Sequence, residues 1–326
     1  MIKRFAYITV VAFAAFAVSC SKALSGHLPD EAGTDVTFVV NIPLSASTKS
    51  GDLAEIAVGA ETDIVYYEVW DKDRTRRLFP QGTGTLAYAD VENNKAEINV
   101  TLVRNQTYTL VFWAQNKKCG AYDVSDLTHV KINYDVIAKK GNEDMFDAFY
   151  AVEPVTMDGK PIPPIYLHRP FAQLNFGATK METDLGDIVV DSTYVTVSTL
   201  STVFDTFNGV GDNGAVKTNV KFAALGRVSD TEGQLAETFN VGQNEYDWIA
   251  MDYMLMLEDS DNVEVNAMFR VKGIGDVHHT ISGVTLKKNH RTNIIGDLFT
   301  RDASLTVIVE PKFDPDDIIK DYDKDE

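Results

Sequence analysis

Apolar residues recur at every second position through most of this chain, the period of a half-buried β-strand. Phe38, Val40, Ile42 and Leu44 mark one such run. Ala96, Ile98, Val100 and Leu102 alternate against Glu97, Asn99 and Thr101. After a turn at Arg104-Asn105-Gln106 the chain returns through 108–114, which predicts a hairpin. In 64–70 both registers are apolar (Val65, Tyr67 and Val69; Ile64, Tyr66 and Trp70), so this strand is expected to be central and covered on both faces. The pattern resumes at Leu174 and Phe176 and in the β-branched run 189–200. Val263, Val265, Ala267, Phe269 and Val271 continue it, followed by 279–286, 291–299 and a last strand with Ala303, Leu305, Val307 and Val309. Residues 123–151 are the least strand-like, with Asn142-Glu143-Asp144 able to cap a short helix through Met145, Phe146 and Phe149. No strand–helix alternation is visible. The expected fold is all-β, mainly antiparallel, built of β-sandwiches with a few short helices.

Pro161, Pro163 and Pro164 cannot donate to a sheet ladder and mark the best domain boundary. The expected division is a signal segment 1–19, a tether 20–35, an N-terminal sandwich 36–164, a C-terminal sandwich 165–312 and an acidic tail 313–326. One internal echo supports two related halves. Leu102-Val103-Arg104-Asn105 and Leu286-Lys287-Lys288-Asn289 share the form Leu-x-basic-Asn between two strands, with Asn a natural turn residue.

The N-terminus changes the picture of where this chain works. Lys3 and Arg4 precede an apolar run from Phe5 to Val18, which leads through Ala17-Val18-Ser19 to Cys20. The run suits a signal peptide and is too short to span a bilayer in the mature protein. A cysteine directly after small residues is the lipobox pattern, so Cys20 is the expected lipidation site and the lipid the expected membrane anchor. Cleavage before Cys20 removes Lys3 and Arg4 and takes the formal charge from −18 to −20. Such acidity argues against nucleic acid as a partner, because a phosphate backbone needs a basic footprint. With Cys20 spent on lipid, Cys119 has no partner for a disulfide within the chain. It is either a thiol activated by Lys117-Lys118 or a small residue at a strand end.

No positive signal for an enzyme emerges, and no catalytic, cofactor-binding or metal residues are assigned. Gly209-Val210-Gly211-Asp212-Asn213-Gly214 has the spacing of a dinucleotide fingerprint, but residues 215–222 read as strand, not as the helix the motif needs. His278 and His279 are adjacent and so point to opposite faces of a strand. Asp259, Asp261 and Glu264 lack the glycine and ligand count of a calcium loop.

Three segments together resemble the fimbrillin superfamily of Bacteroidales, the subunits and accessory proteins of type V pili. They are 102–115 (LVRNQTYTLVFWAQ), 167–177 (LHRPFAQLNFG) and 286–296 (LKKNHRTNIIG), the last continued by Leu298-Phe299-Thr300 and the strand reaching Pro311. The resemblance implies two tandem transthyretin-like β-sandwich domains and export as an outer-membrane lipoprotein. It also implies a place at the cell surface or in a fimbrium, and assembly with other fimbrial subunits by strand exchange. In polymerising members a protease cuts after Arg or Lys near the N-terminus and removes the first strand. Lys49, in the polar stretch Ser47-Thr48-Lys49-Ser50, is the candidate processing site here, or an ordinary loop lysine. Leu305, Val307 and Val309 are candidate donor-strand residues, unless that strand simply completes its own domain. Ser192, in Asp191-Ser192-Thr193, matches the short O-glycosylation pattern of exported Bacteroidetes proteins, a pattern short enough to recur by chance. A fimbrial stalk, tip or anchor protein that adheres to a host or bacterial surface ligand is the leading expectation. The alternative is a surface glycan-binding outer-membrane lipoprotein, which needs an exposed aromatic platform. Tyr66, Trp70, Trp113 and Trp248 are the available rings, all in strand contexts that suggest core.

Overall fold

The structure, a computed structural model, describes residues 33–43, 61–82, 84–140, 144–179, 190–222, 238–301 and 303–312. Cys20, Leu44, Lys49 and the tail 313–326 lie outside the described residues. In chain order, the first half contains β1 (Thr34–Asn41), β2 (Ile64–Asp71), β3 (Arg77–Phe79), β4 (Ala87–Asp90), β5 (Lys95–Leu102) and β6 (Thr107–Gln115). Then come β7 (Tyr122–Asp123), β8 (His129–Ile132), α1 (Tyr134–Lys140), a 3-10 turn (Asp144–Phe146), β9 (Phe149–Thr156) and β10 (Ile165–Tyr166). The second half opens with β11 (Ala172–Thr179), β12 (Val190–Ser201), β13 (Val203–Asp205), β14 (Val210–Gly211) and β15 (Val216–Phe222). It closes with β16 (Thr238–Val241), β17 (Asn244–Met254), β18 (Ser260–Val271), β19 (Gly275–Lys287), β20 (His290–Gly296) and β21 (Thr306–Lys312). The protein is all-β, and most strand pairs are antiparallel.

Two sheets enclose the first core. One has the order β10-β1-β5; the other runs β3-β2-β6-β9, with β4 also on β2. Phe38, Val40, Ile98, Val69, Leu110, Phe112 and Ala151 meet between them. Strand β2 is central and apolar on both faces, as its double register predicts, with Val65 and Val69 in this core and Tyr66 and Trp70 packed against the other. Two more sheets, β15-β12-β18-β19 and β16-β17-β11-β20-β21, enclose the second core around Phe176, Val195, Val265, Phe269 and Ile294.

The two Leu-x-basic-Asn segments occupy equivalent turns. Asn105 and Asn289 both adopt the left-handed region, at φ 61° and 58°, which Asn tolerates better than most side chains. Each turn carries the chain from one sheet of its sandwich to the other. The expected hairpin of β5 and β6 is therefore corrected: the strands are consecutive but belong to facing sheets. Sequence alternation is blind to this difference, because an arch and a hairpin bury the same residues.

The segment between β6 and β9 also differs from expectation. It forms the small sheet β14-β13-β8-β7 with strands from the second half. The helix lies at α1, earlier than predicted, while only a 3-10 turn follows residue 143 and Phe149 already opens β9. Cys119, Tyr122, Val130, Tyr134 and Phe146 all pack in the second core, whereas Ile165 and Leu167, past the prolines, pack in the first. Strand β6 joins the two: Leu110, Phe112 and Ala114 face the first core, and Val111 and Trp113 the second. A buried ion pair fixes the junction. Arg169 Nε and Nη2 each donate to Asp147 at 2.6 Å, and the guanidinium lies 4.8 Å from the Phe149 ring centre. Arg169 Nη1 also donates to Asn289 Oδ1 at 3.4 Å, tying in the second arch.

Candidate functional site

Strand β1 lies between two neighbours. Eight residues pair antiparallel with β5, from Thr34 opposite Leu102 to Asn41 opposite Lys95. On the other side Val40 and Asn41 pair parallel with Ile165 and Tyr166 of β10, and the Leu167 amide donates to the Asn41 carbonyl at 3.0 Å. The strand begins inside the stretch expected as tether, because Thr34 and Asp35 already bond across: Arg104 Nε to Thr34 Oγ1 at 2.8 Å and Thr101 Oγ1 to Asp35 Oδ1 at 2.7 Å. Phe38, Val40 and Ile42 are fully buried, at roughly 1.5–3 kcal/mol each. Residues 42–63 separate this strand from β2. A chain broken there would hold β1 by the ladder and these side chains alone. Its departure would leave β5 and β10 one strand apart, with unpaired backbone groups facing a slot of apolar pockets.

The last strand is held differently. Among the described residues β21 sits at a sheet edge and pairs only with β20. Val307 lies opposite Ile294 and Val309 opposite Thr292. Ile294 is fully buried, and Thr292 Oγ1 donates to the Thr285 carbonyl of the facing sheet, so this is the inward face. Val307 and Val309 nevertheless stay 38% and 37% exposed, extending the apolar row past the covered core. Leu305 and Ile308 pack partly against the core, and Glu310 accepts from Asn293 Nδ2 at 2.7 Å.

The remaining sequence candidates fall apart in space. Ser192 Oγ on β12 is buried and has no hydrogen-bond partner among the described residues. Burial pushes the Cys119 thiol up, the opposite of an activated cysteine. In the glycine-rich segment, β15 stands where a dinucleotide site needs a helix, and a Cβ on Gly211 would meet the Met256 carbonyl at 2.2 Å; close packing accounts for that glycine. His279 is buried with Nε2 2.8 Å from the Leu298 carbonyl, while its neighbour His278 is exposed on the other face. Asp259 pairs with Lys288 at 2.6 Å and Asp261 accepts the Leu257 amide at 2.7 Å, so these carboxylates serve separate contacts.

Of the four aromatic candidates, Trp113 and Trp248 are core; Tyr66 and Trp70 are half-buried. Tyr88 is the ring that sequence reading missed. It is 57% exposed on β4, edge-on to Tyr66 with ring centres 6.3 Å apart. Its four-residue strand, Ala-Tyr-Ala-Asp, carries too little alternation to stand out.

A family model described as a family of unknown function, DUF6562, matches residues 29–325. No curated protein matches the chain. Solved structures similar to it include a fimbrial assembly protein of Parabacteroides distasonis, at 13% identity and TM-score 0.43, covering 86% of this chain and 96% of that one. The tip fimbrial protein Mfa3 of Porphyromonas gingivalis, solved with a C-terminal truncation, gives 9% identity and TM-score 0.44 over 85% and 99% of the two chains. A provisionally polysaccharide-binding protein of Bacteroides thetaiotaomicron gives 15% and 0.44 over 86% and 99%. The neighbours are thus Bacteroidales fimbrial, adhesion and binding proteins.

Proposed function

The chain belongs to the DUF6562 family of unknown function, and we propose that it is a fimbrial structural protein that assembles by exchange of β-strands. One observation carries this reading: β1, buried through Phe38, Val40 and Ile42 and paired on both edges, precedes in sequence the segment 44–60 that holds Lys49. Lipid on Cys20 delivers the precursor to the outer membrane. A cut after Lys49 frees β1 from the chain that holds its slot. A strand from another subunit then fills the slot, satisfying the open backbone and placing alternate side chains in the pockets. Val307 and Val309, with Leu305 before them, are the residues such a donor strand would offer. Each half is read as one transthyretin-like sandwich, and the protein's work is assembly and adhesion without a reaction of its own.

Treatment of the purified chain with a trypsin-like protease is the test. Cutting after Lys49 should yield SDS-resistant ladders, and Val307→Asp with Val309→Asp should abolish them. Clean cutting that leaves only monomer overturns the polymerising role. The N-terminal residue of the protein on cells then assigns its position: Ser50 for a processed subunit, acylated Cys20 for an anchor.

Tyr88 favours a second reading, a glycan-binding surface lipoprotein, because an exposed ring on a sheet can stack on a sugar face. Retention on a polysaccharide gel that is lost in Tyr88→Ala, with no ladders after cutting, would select it.

A further inference from the structure

The first sandwich is open at one edge, between β9 and β10. A cleft of about 470 Å³ lies there, with Glu153, Pro154 and Thr156 on one wall and Pro161, Pro163 and Tyr166 on the other. Its edge is a poor template for strand addition. Tyr150 exchanges both backbone hydrogen bonds with His168, so the amides and carbonyls of 150, 152, 154 and 156 point into this side of β9. At the middle of that row stands Pro154, which has no amide to donate. The break in the row of donors favours an occupant that binds through a side chain.

The cleft also holds an unused charge. Glu153 projects from the face of β9 that carries Ala151 and Val155 into the first core, and it is half-buried. Among the described residues its carboxylate has no hydrogen-bond or ion-pair partner, and burial pushes it up. The nearby lysine is already engaged: Lys160 Nζ lies 2.9 Å from Asp158 at the solvent-facing rim. A desolvated carboxylate with no cation, walled by rigid apolar rings, is complementary to a long side chain with an apolar stem and a positive head.

We propose that this cleft binds a lysine or arginine side chain of a partner protein, its stem against the prolines and its head on the Glu153 carboxylate. The site lies on the far edge of β10 from β1 and does not depend on strand exchange.

The probe is acetyl-lysine-methylamide, titrated into the isotope-labelled full chain and followed by amide NMR, with acetyl-norleucine-methylamide as the uncharged control. The lysine probe should shift amides in 153–156 and 161–166 with millimolar affinity, and the norleucine probe should bind at least tenfold more weakly. Glu153→Gln should weaken the lysine probe at least tenfold while the rest of its spectrum overlays the parent. Without any variant, the Glu153 carboxyl should titrate at lower pH in the saturated protein than in the free one. Equal affinity for both probes, unchanged binding in Glu153→Gln, or shifts spread over the acidic surface with none at the cleft would each overturn the assignment.

Discussion

The first and last described strands, β1 and β21, are both terminal and both apolar at alternate positions, yet they are held in opposite ways. β1 has a neighbour on each edge, and Phe38 and Val40 on its inward face are wholly buried. β21 has one neighbour among the described residues, and two of its inward valines are more than a third exposed. The strand exchange proposed above rests on this difference: removing β1 would leave a shaped slot, while the apolar row of β21 is not fully covered. Alternation alone makes these strands look alike, and only their neighbours tell them apart.

The largest expected effect is at the buried strand. Phe38→Ala should cost about 3–5 kcal/mol in urea unfolding, through lost transfer energy and the cavity left behind. A cost below about 1 kcal/mol would mean that β1 is not part of the stable first core.

An intermediate effect separates the two cores by pH. Asp252 on β17 lies opposite Leu174, buried, with Oδ1 unpartnered and its carboxyl pushed well above the usual range by burial. The folded chain therefore keeps this proton to higher pH than the unfolded chain. Stability tied to it is fully present below the ordinary carboxylate pKa and is lost as pH rises through the folded value. Asp252→Asn should remove that loss, seen as stronger hydrogen-exchange protection of β17 and β11 than in the parent above neutral pH. β1 and β5 should be unchanged by the substitution. A matching gain in β1 would show that the two cores open as one unit.

The smallest effect is at the edge. Val307→Ser with Val309→Ser should change unfolding free energy by no more than about 1 kcal/mol, because the side chains are partly in water already. A cost as large as that of Phe38→Ala would place these valines in the core and remove the contrast.

Sequence reading recovers what local pattern controls. The alternations at Phe38, Val40 and Ile42 and at 96–102, the two-faced β2 and the paired Asn turns all stand where residue spacing puts them. What it misses depends on distant partners. Residues 123–151 look the least strand-like in sequence, in part because β7 and β8 are two and four residues long and find their sheet through β13. Trp113 looks like any core residue of its own strand, but besides Tyr122 its ring meets Phe171 and Phe204 from the second half. Glu153 and Pro154 give no signal either: a charge and a proline inside a strand gain meaning only once β9 is seen to be an edge.

Strand β6, with one face in each core, has a mechanical consequence. Eight of its residues pair with β2 on one side and eight with β9 on the other. A pull applied along its axis loads both ladders in shear, so many hydrogen bonds must fail together instead of peeling singly. Resistance to such a pull is set by the rate of unfolding and not by equilibrium stability. The first sandwich would therefore yield last along this strand.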